Sequence, residues 1–308
     1  MITSTFKLCT ILGRQSNQTN FADRKILTRN RNMKKILLVI LTAMVVFTTQ
    51  AQDKLRTVIK TPRNGHSIYG LKRANDKVSL AYLDDEKTPF TGKFIEKGWN
   101  EELLSERNYV GGLLNGDFIE WTKRGETEYI KTKGTYKNDK LFGAYTEWWR
   151  PNHKKKECFY DAKGEYHGKM VHYEGFSVEE PTAVQFYKHG VRDSTWTWFY
   201  NGGKIKSVEN YKNGKEHGFK LEYYENGNKK YEVKYLNDEK VGLLSEWYEN
   251  GQLRYTCEYT NGKKNGKEIY YYKNKQIEKE GAFVNGSKKG RFVWYKEDGT
   301  ISEETTFQ

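Results

Sequence analysis

The chain has 308 residues, enough for two ordinary domains. Phe, Trp and Tyr make up 15% of it, hydrophobic residues of every kind only 36%, and there are just four prolines; this excludes a deep aliphatic two-layer core and suits uninterrupted strands. The formal charge of +13 is concentrated at the amino terminus: residues 1–52 hold 8 Lys/Arg and one Asp, which leaves 45 basic against 39 acidic residues and a balance of +6 beyond them. Mixed-sign charge spread along the chain reads as a solvated face. A nucleic-acid groove needs basic clustering beside stacking aromatics, and the one compact triplet, Lys154-Lys155-Lys156, falls at a turn, so no nucleic-acid partner is expected.

Residues 1–32 read as an extension upstream of the true start at Met33. Lys34-Lys35, the apolar run Ile36–Phe47 and the small-residue end Thr49-Gln50-Ala51 read as a signal peptide over 33–51, cleaved after Ala51. Twelve apolar residues are short for a membrane span, so no integral membrane segment is expected after processing. This places the protein in the periplasm, at the outer membrane or outside the cell; the alternative is an inner-membrane anchor formed by an uncleaved leader. Residues 52–81 form an amino-terminal cap, with a capping strand near Val78–Tyr82.

From residue 82 to the end the chain repeats. Gly92, Gly116, Gly143, Gly168, Ser194, Gly218, Gly242, Gly266 and Gly290 follow one another at 24, 27, 25, 26, 24, 24, 24 and 24 residues. Five residues after each beat from Gly116 onward stands an aromatic: Trp121, Trp148, Tyr173, Phe199, Tyr223, Trp247, Tyr271, Tyr295. Three residues after it are Ile119, Thr146, Val171 and their equivalents. Offsets three and five share one side of a strand, and this reading turns that side inward. A turn pair follows, as in Asn226-Gly227, Asn250-Gly251 and Asp298-Gly299. A second strand then ends on Tyr109, Tyr136, Tyr187, Tyr211, Tyr235, Tyr259, Phe283 or Phe307. A second turn pair, as in Asn213-Gly214 and Asn261-Gly262, returns the chain to the beat. The unit from Glu165 to Ser194 departs most, with Ser194 at its beat and no Asn-Gly turn after Tyr173.

Gly, paired aromatics, Asn-Gly and Tyr-x-Asn-Gly-Lys-x-x-Gly together resemble the MORN repeat family, and more narrowly the bacterial variant grouped with YwqK-type antitoxin-like proteins. The resemblance covers residues 82 to 308 and is strongest after Ser194. It implies an all-β fold, an elongated, twisted single-layer antiparallel sheet of tandem β-hairpins, and no catalytic site. The residues that set the repeat are Gly116, Gly143, Gly168, Gly218, Gly242, Gly266 and Gly290, with Trp121, Trp148, Tyr223, Trp247, Tyr271 and Tyr295.

Catalytic signatures are missing from the sequence: there is no P-loop, no Gly-x-Ser-x-Gly and no His-Glu-x-x-His. Neither an enzyme nor a cofactor is expected. His167 and His172 are a weak metal signal and read as surface residues. Cys158 and Cys257 lie about four repeats apart, roughly 40 Å in a regular sheet, and are expected to be free. Glu120, Glu147, Glu222 and Glu246 at the fourth offset read as exposed cross-strand charge pairs. In Trp148-Trp149, Tyr223-Tyr224, Trp247-Tyr248 and Trp198-Phe199-Tyr200 one ring faces in and its neighbour out, which makes Trp149, Trp198, Tyr200, Tyr224, Tyr248 and Tyr272 the candidate partner-binding residues. The function expected is a non-catalytic binding or scaffold surface for a protein partner. A polysaccharide-binding surface and an exported immunity protein are the alternatives.

Overall fold

The computed structural model describes residues 56–61, 68–72, 79–84, 86–174 and 180–308. The extension and leader read from residues 1–51 lie outside the described residues. The described chain is all β. One open, twisted sheet of 21 strands runs from the amino-terminal strand Thr57–Lys60 to the carboxy-terminal strand Ile301–Phe307, and a separate hairpin pairs Ile68–Lys72 with Ser79–Leu83. Among the described residues no helix is long and apolar enough to cross a membrane. Neighbouring strands in the repeats are antiparallel. The exception is Thr57–Lys60, which pairs in parallel with Gly92–Lys97 and so adds an edge strand from the segment expected to be a cap alone.

Two kinds of turn alternate. At Asn261-Gly262 both residues have positive φ, 49° and 75°, as in Asn213-Gly214, Asn237-Asp238 and Asn285-Gly286. This is the two-residue turn whose twist matches that of its strands. At Asn250-Gly251 only the glycine is left-handed, at 83°. There the Gly251 amide donates to Tyr248 O at 2.9 Å and the Tyr248 amide to Gln252 O at 2.8 Å. Glu246 pairs with Tyr255 but Trp247 with Leu253, so Arg254 is the extra residue of a bulge.

The beat residue is left-handed for a reason of register. On the two-residue-turn side Lys234 pairs with Val241, yet two residues back Glu232 pairs with Ser245, four residues on. Gly242, at φ 75°, absorbs that mismatch, and Ser194 holds the same conformation at φ 55°. The mismatch brings each two-residue turn against the one before. Gly214 N donates to Arg192 O, Asp238 N to Glu216 O, Gly262 N to Lys240 O and Gly286 N to Lys264 O, at 2.8–3.0 Å.

The core forms inside this single layer. Its deepest column is the second offset, not the third and fifth: Phe94, Phe118, Met170, Trp196, Leu244, Glu268 and Phe292 are all buried. Each lies in register with a residue of the return strand, as Leu244 with Cys257 and Glu268 with Gly281. Tyrosine rings flank the column and cover it: Val233 and Cys257 reach 0% exposure beneath Tyr231, Tyr235, Tyr255, Tyr259 and Tyr270. Gly281 leaves room for the Phe292 ring, since a Cβ there would lie 2.3 Å from it. Cations two residues before the beat lie over the outer rings: Lys240 over Tyr259 at 5.4 Å, Lys264 over Phe283 at 5.0 Å and Lys288 over Phe307 at 4.8 Å.

The expected inward trios divide. Tyr211 is buried and Tyr235 and Tyr259 are half-buried on the core face, whereas Tyr223, Trp247 and Tyr271 are half-buried on the opposite face. The fourth-offset carboxylates correct the phase in the same way. Glu246 pairs with Tyr255 on the core face, and Glu120, Glu147, Glu222 and Glu246 are partly buried there. They do form cross-strand ion pairs: Arg107–Glu120 at 2.7 Å, Lys156–Glu147 at 3.3 Å, Lys230–Glu222 at 3.3 Å and Arg254–Glu246 at 3.5 Å. Cys158 and Cys257 are free and buried.

Phe292→Ala removes a fully enclosed ring and is expected to cost about 3–5 kcal/mol, while Trp247→Ala, half-exposed at the bulge, is expected to cost about half as much. Denaturant unfolding followed by tryptophan fluorescence and circular dichroism compares the two; equal losses would place the core on the wrong face.

Candidate functional site

The ring that follows the fifth offset sits where each strand leaves the sheet for the longer turn. Its position is fixed by a bond between repeats. Tyr200 Oη donates to Tyr223 O, Tyr224 Oη to Trp247 O, Tyr248 Oη to Tyr271 O and Tyr272 Oη to Tyr295 O, at 2.7–2.8 Å and each across 23 residues. Trp149 plays the same part through Nε1, which donates to Tyr173 O at 3.0 Å. Asn226 and Asn274 add side-chain bonds to Glu249 O and Glu297 O of the next turn. The rings proposed to face a partner are thus bound into the array by their polar ends, and their ring faces form a ledge along one edge of the sheet. Successive rungs are about 10 Å apart, two strand spacings. The fifth-offset rings lie on the face away from the core, and there Tyr173 and Tyr295 donate to Glu157 and Glu280 at 2.8 Å.

Two concavities open on this edge. One, of about 580 Å³, lies between Tyr224 and Tyr248, with Asn226, Glu249, Asn250 and Lys273 around it. The other, of about 490 Å³, lies at the irregular unit and joins Trp198 and Tyr200 to His172, Glu174, Gln185 and Lys206. Burial and then the charge of Lys156 push the His172 imidazole below its ordinary range, so it presents a neutral ring there. Trp198 stands apart from the other five candidates. It is at the fourth offset, on the core face, with its ring 5.8 Å from that of Trp196.

Two polar clusters lie away from the ledge. In the core column the Glu268 carboxylate accepts from Tyr255 Oη at 3.1 Å and Lys279 Nζ at 3.2 Å, and is paired with Lys264 as well. Burial opposes its ionisation, but the hydrogen bond and charge of Lys264 and the charge of Lys279 outweigh burial and hold it below the ordinary glutamate range. At the two-residue-turn edge of the irregular unit, Asp161, His167 and His189 converge. The hydrogen bond from His189, then the amides of Glu165 and Lys163, hold the Asp161 carboxyl down at about 2. The sequence paired His167 with His172 instead. The signal that finds this cluster is the repeat itself, because residues 22 to 24 apart lie side by side in the array.

The fold and its ledge define a tandem β-hairpin repeat protein that offers an extended surface for recognition. Residues 192–213, 217–237, 240–261 and 264–285 each match the MORN repeat variant, so the chain carries tandem MORN-variant repeats there. The same strand pairing and left-handed beat continue on both sides of these windows, at Gly116 and Gly290. No curated protein matches the chain. MORN repeats point to a repeat-based binding or scaffolding role.

Two measurements follow from this geometry. Tyr224→Phe and Tyr248→Phe keep the rings and remove the inter-repeat bonds; each is expected to cost about 1 kcal/mol and to speed amide exchange in the following turn. Glu268 supports stability above the ordinary glutamate value and loses that support as pH falls through its lower folded value. The stability gap between the wild type and Glu268→Gln should therefore narrow as pH drops below about 4.3, read from urea midpoints across the range.

Proposed function

We propose that the protein is an exported, non-catalytic scaffold that holds a protein partner along the tyrosine ledge. The observation that carries this reading is the run of hydroxyl-to-carbonyl bonds from Tyr200 to Tyr272. They hold a row of rings in one conformation before any partner arrives, so little side-chain entropy is lost on binding. Rings with an apolar face beside Asn, Glu and Lys have the chemistry of an interface centre with a polar rim. Export is supported by the basic, apolar and small-residue order of residues 34–51.

A second reading has its own observation. Trp198 and Tyr200 meet polar His172, Glu174, Gln185 and Lys206 in one concavity, and aromatic faces beside hydrogen-bonding groups suit a sugar ring. On this reading the irregular unit binds a saccharide.

Cross-linking and affinity capture from the native cell envelope tests the first reading. A defined protein should be retained by the wild type, lost when the ledge carries Glu249→Lys with Lys273→Glu, and kept when the remote Lys267 is changed to Glu. Loss of tryptophan fluorescence on adding saccharides, abolished by Trp198→Phe, with no protein captured, would replace it with the second.

A further inference from the structure

We propose that Asp161, His167 and His189 bind one divalent transition-metal ion of the zinc class. One donor atom from each of the three lies within 4.8 Å of the other two. His189 Nδ1 is 2.6 Å from Asp161 Oδ2, and the two imidazole centroids are 4.6 Å apart. The His189 amide also approaches His167 Nδ1 at 3.4 Å. Two imidazoles and one carboxylate suit a borderline ion such as zinc, whereas magnesium and calcium favour all-oxygen shells. Zinc stands about 2.0–2.2 Å from such donors, which sets tetrahedral ligand atoms roughly 3.3–3.6 Å apart. The ion therefore enters by parting His189 from Asp161 and drawing in the wider pair. The His189 side chain is 55% exposed and has room to turn. Water takes the fourth position.

The surroundings favour this arrangement. Asp161 Oδ1 accepts the amides of Lys163 at 2.8 Å and Glu165 at 3.1 Å, so the carboxylate is oriented with Oδ2 towards the histidines. Second-sphere bonds of this kind fix a ligand in place. The Gly190 amide donates to Tyr166 O at 2.8 Å, which pins the turn carrying His189 beside the residue before His167. His189 is the first residue of a two-residue turn and is left-handed, at φ 50°. Asn138, Asn213, Asn237, Asn261 and Asn285 hold that place in other turns of this kind. The turn itself is satisfied by asparagine. Histidine appears there in the one unit that also places His167 and Asp161 within reach. The site lies on the opposite edge from the ledge and does not depend on the scaffold reading.

The test titrates untagged, chelator-stripped protein with zinc chloride by calorimetry, and with cobalt chloride for the visible absorption of a tetrahedral site. Uptake of one zinc per chain is expected, with a rise in the thermal midpoint. His189→Asn keeps the residue that the other turns use, so its fold is preserved; zinc affinity should fall about 10-fold or more, as it should in His167→Gln and Asp161→Asn. His153→Gln should bind as the wild type does. No uptake of zinc, or the same affinity in His189→Asn and the wild type at matched metal-free stability, would overturn the proposal and leave Asp161 and His189 as a hydrogen-bonded pair.

Discussion

The tyrosine and phenylalanine rings that lean over the central column hold this array together, because a sheet without a second layer has nothing else to keep water from its core. The hydrophobic term scales with apolar area removed from water, and rings offer more of it per residue than any aliphatic side chain. Val233, Leu244 and Cys257 are enclosed only because tyrosines from both adjoining strands lie across them. This accounts for a composition rich in aromatics. It also accounts for the lysines: Lys240, Lys264 and Lys288 spread their methylene stems over the outermost rings and keep their charge in water.

Cohesion along the array uses different bonds at each edge. At the two-residue turns it is the backbone, amide to carbonyl, and it needs a left-handed beat so that turn and strand can hold different registers. At the longer turns it is the side chain, tyrosine hydroxyl or tryptophan N–H to carbonyl. Both sets join a unit only to its neighbour, so the stability of the whole is close to a sum of unit and interface terms.

Much of this was legible in the sequence. The period, the strand-turn-strand order and the two turn types follow from Gly, Asn-Gly and alternating aromatics, since each marks a backbone conformation that few residues adopt. The phase of the core was not legible. The fifth offset is aromatic from Trp121 onward and so reads as the inward side, while the true core column runs Phe94, Phe118, Tyr145, Met170, Trp196, Lys220, Leu244, Glu268 and Phe292, with no shared residue type. What unites these is position relative to the beat and cover from neighbouring rings. The polar ends of Tyr200, Tyr224, Tyr248 and Tyr272 were equally hidden, because their acceptors are main-chain atoms 23 residues on. The meeting of Asp161, His167 and His189 depends on folding the irregular unit against its neighbour, which local spacing does not express.

The hairpin formed by Leu113–Arg124 and Thr127–Lys137 is longer than its fellows, and its extra pairs, Thr122 with Tyr129 through Arg124 with Thr127, all lie beyond the core column on the longer-turn side. In this hairpin the surplus residues are thus expelled towards the longer-turn margin, while the opposite margin keeps its backbone contact, Asp139 N to Leu114 O, and the column keeps its alignment. A lineage can lengthen or shorten individual hairpin arms there, or duplicate whole units as cassettes, without disturbing what its neighbours bury. The architecture separates a margin free to diversify from an interior under constraint, much as a comb can vary its teeth while keeping its spine.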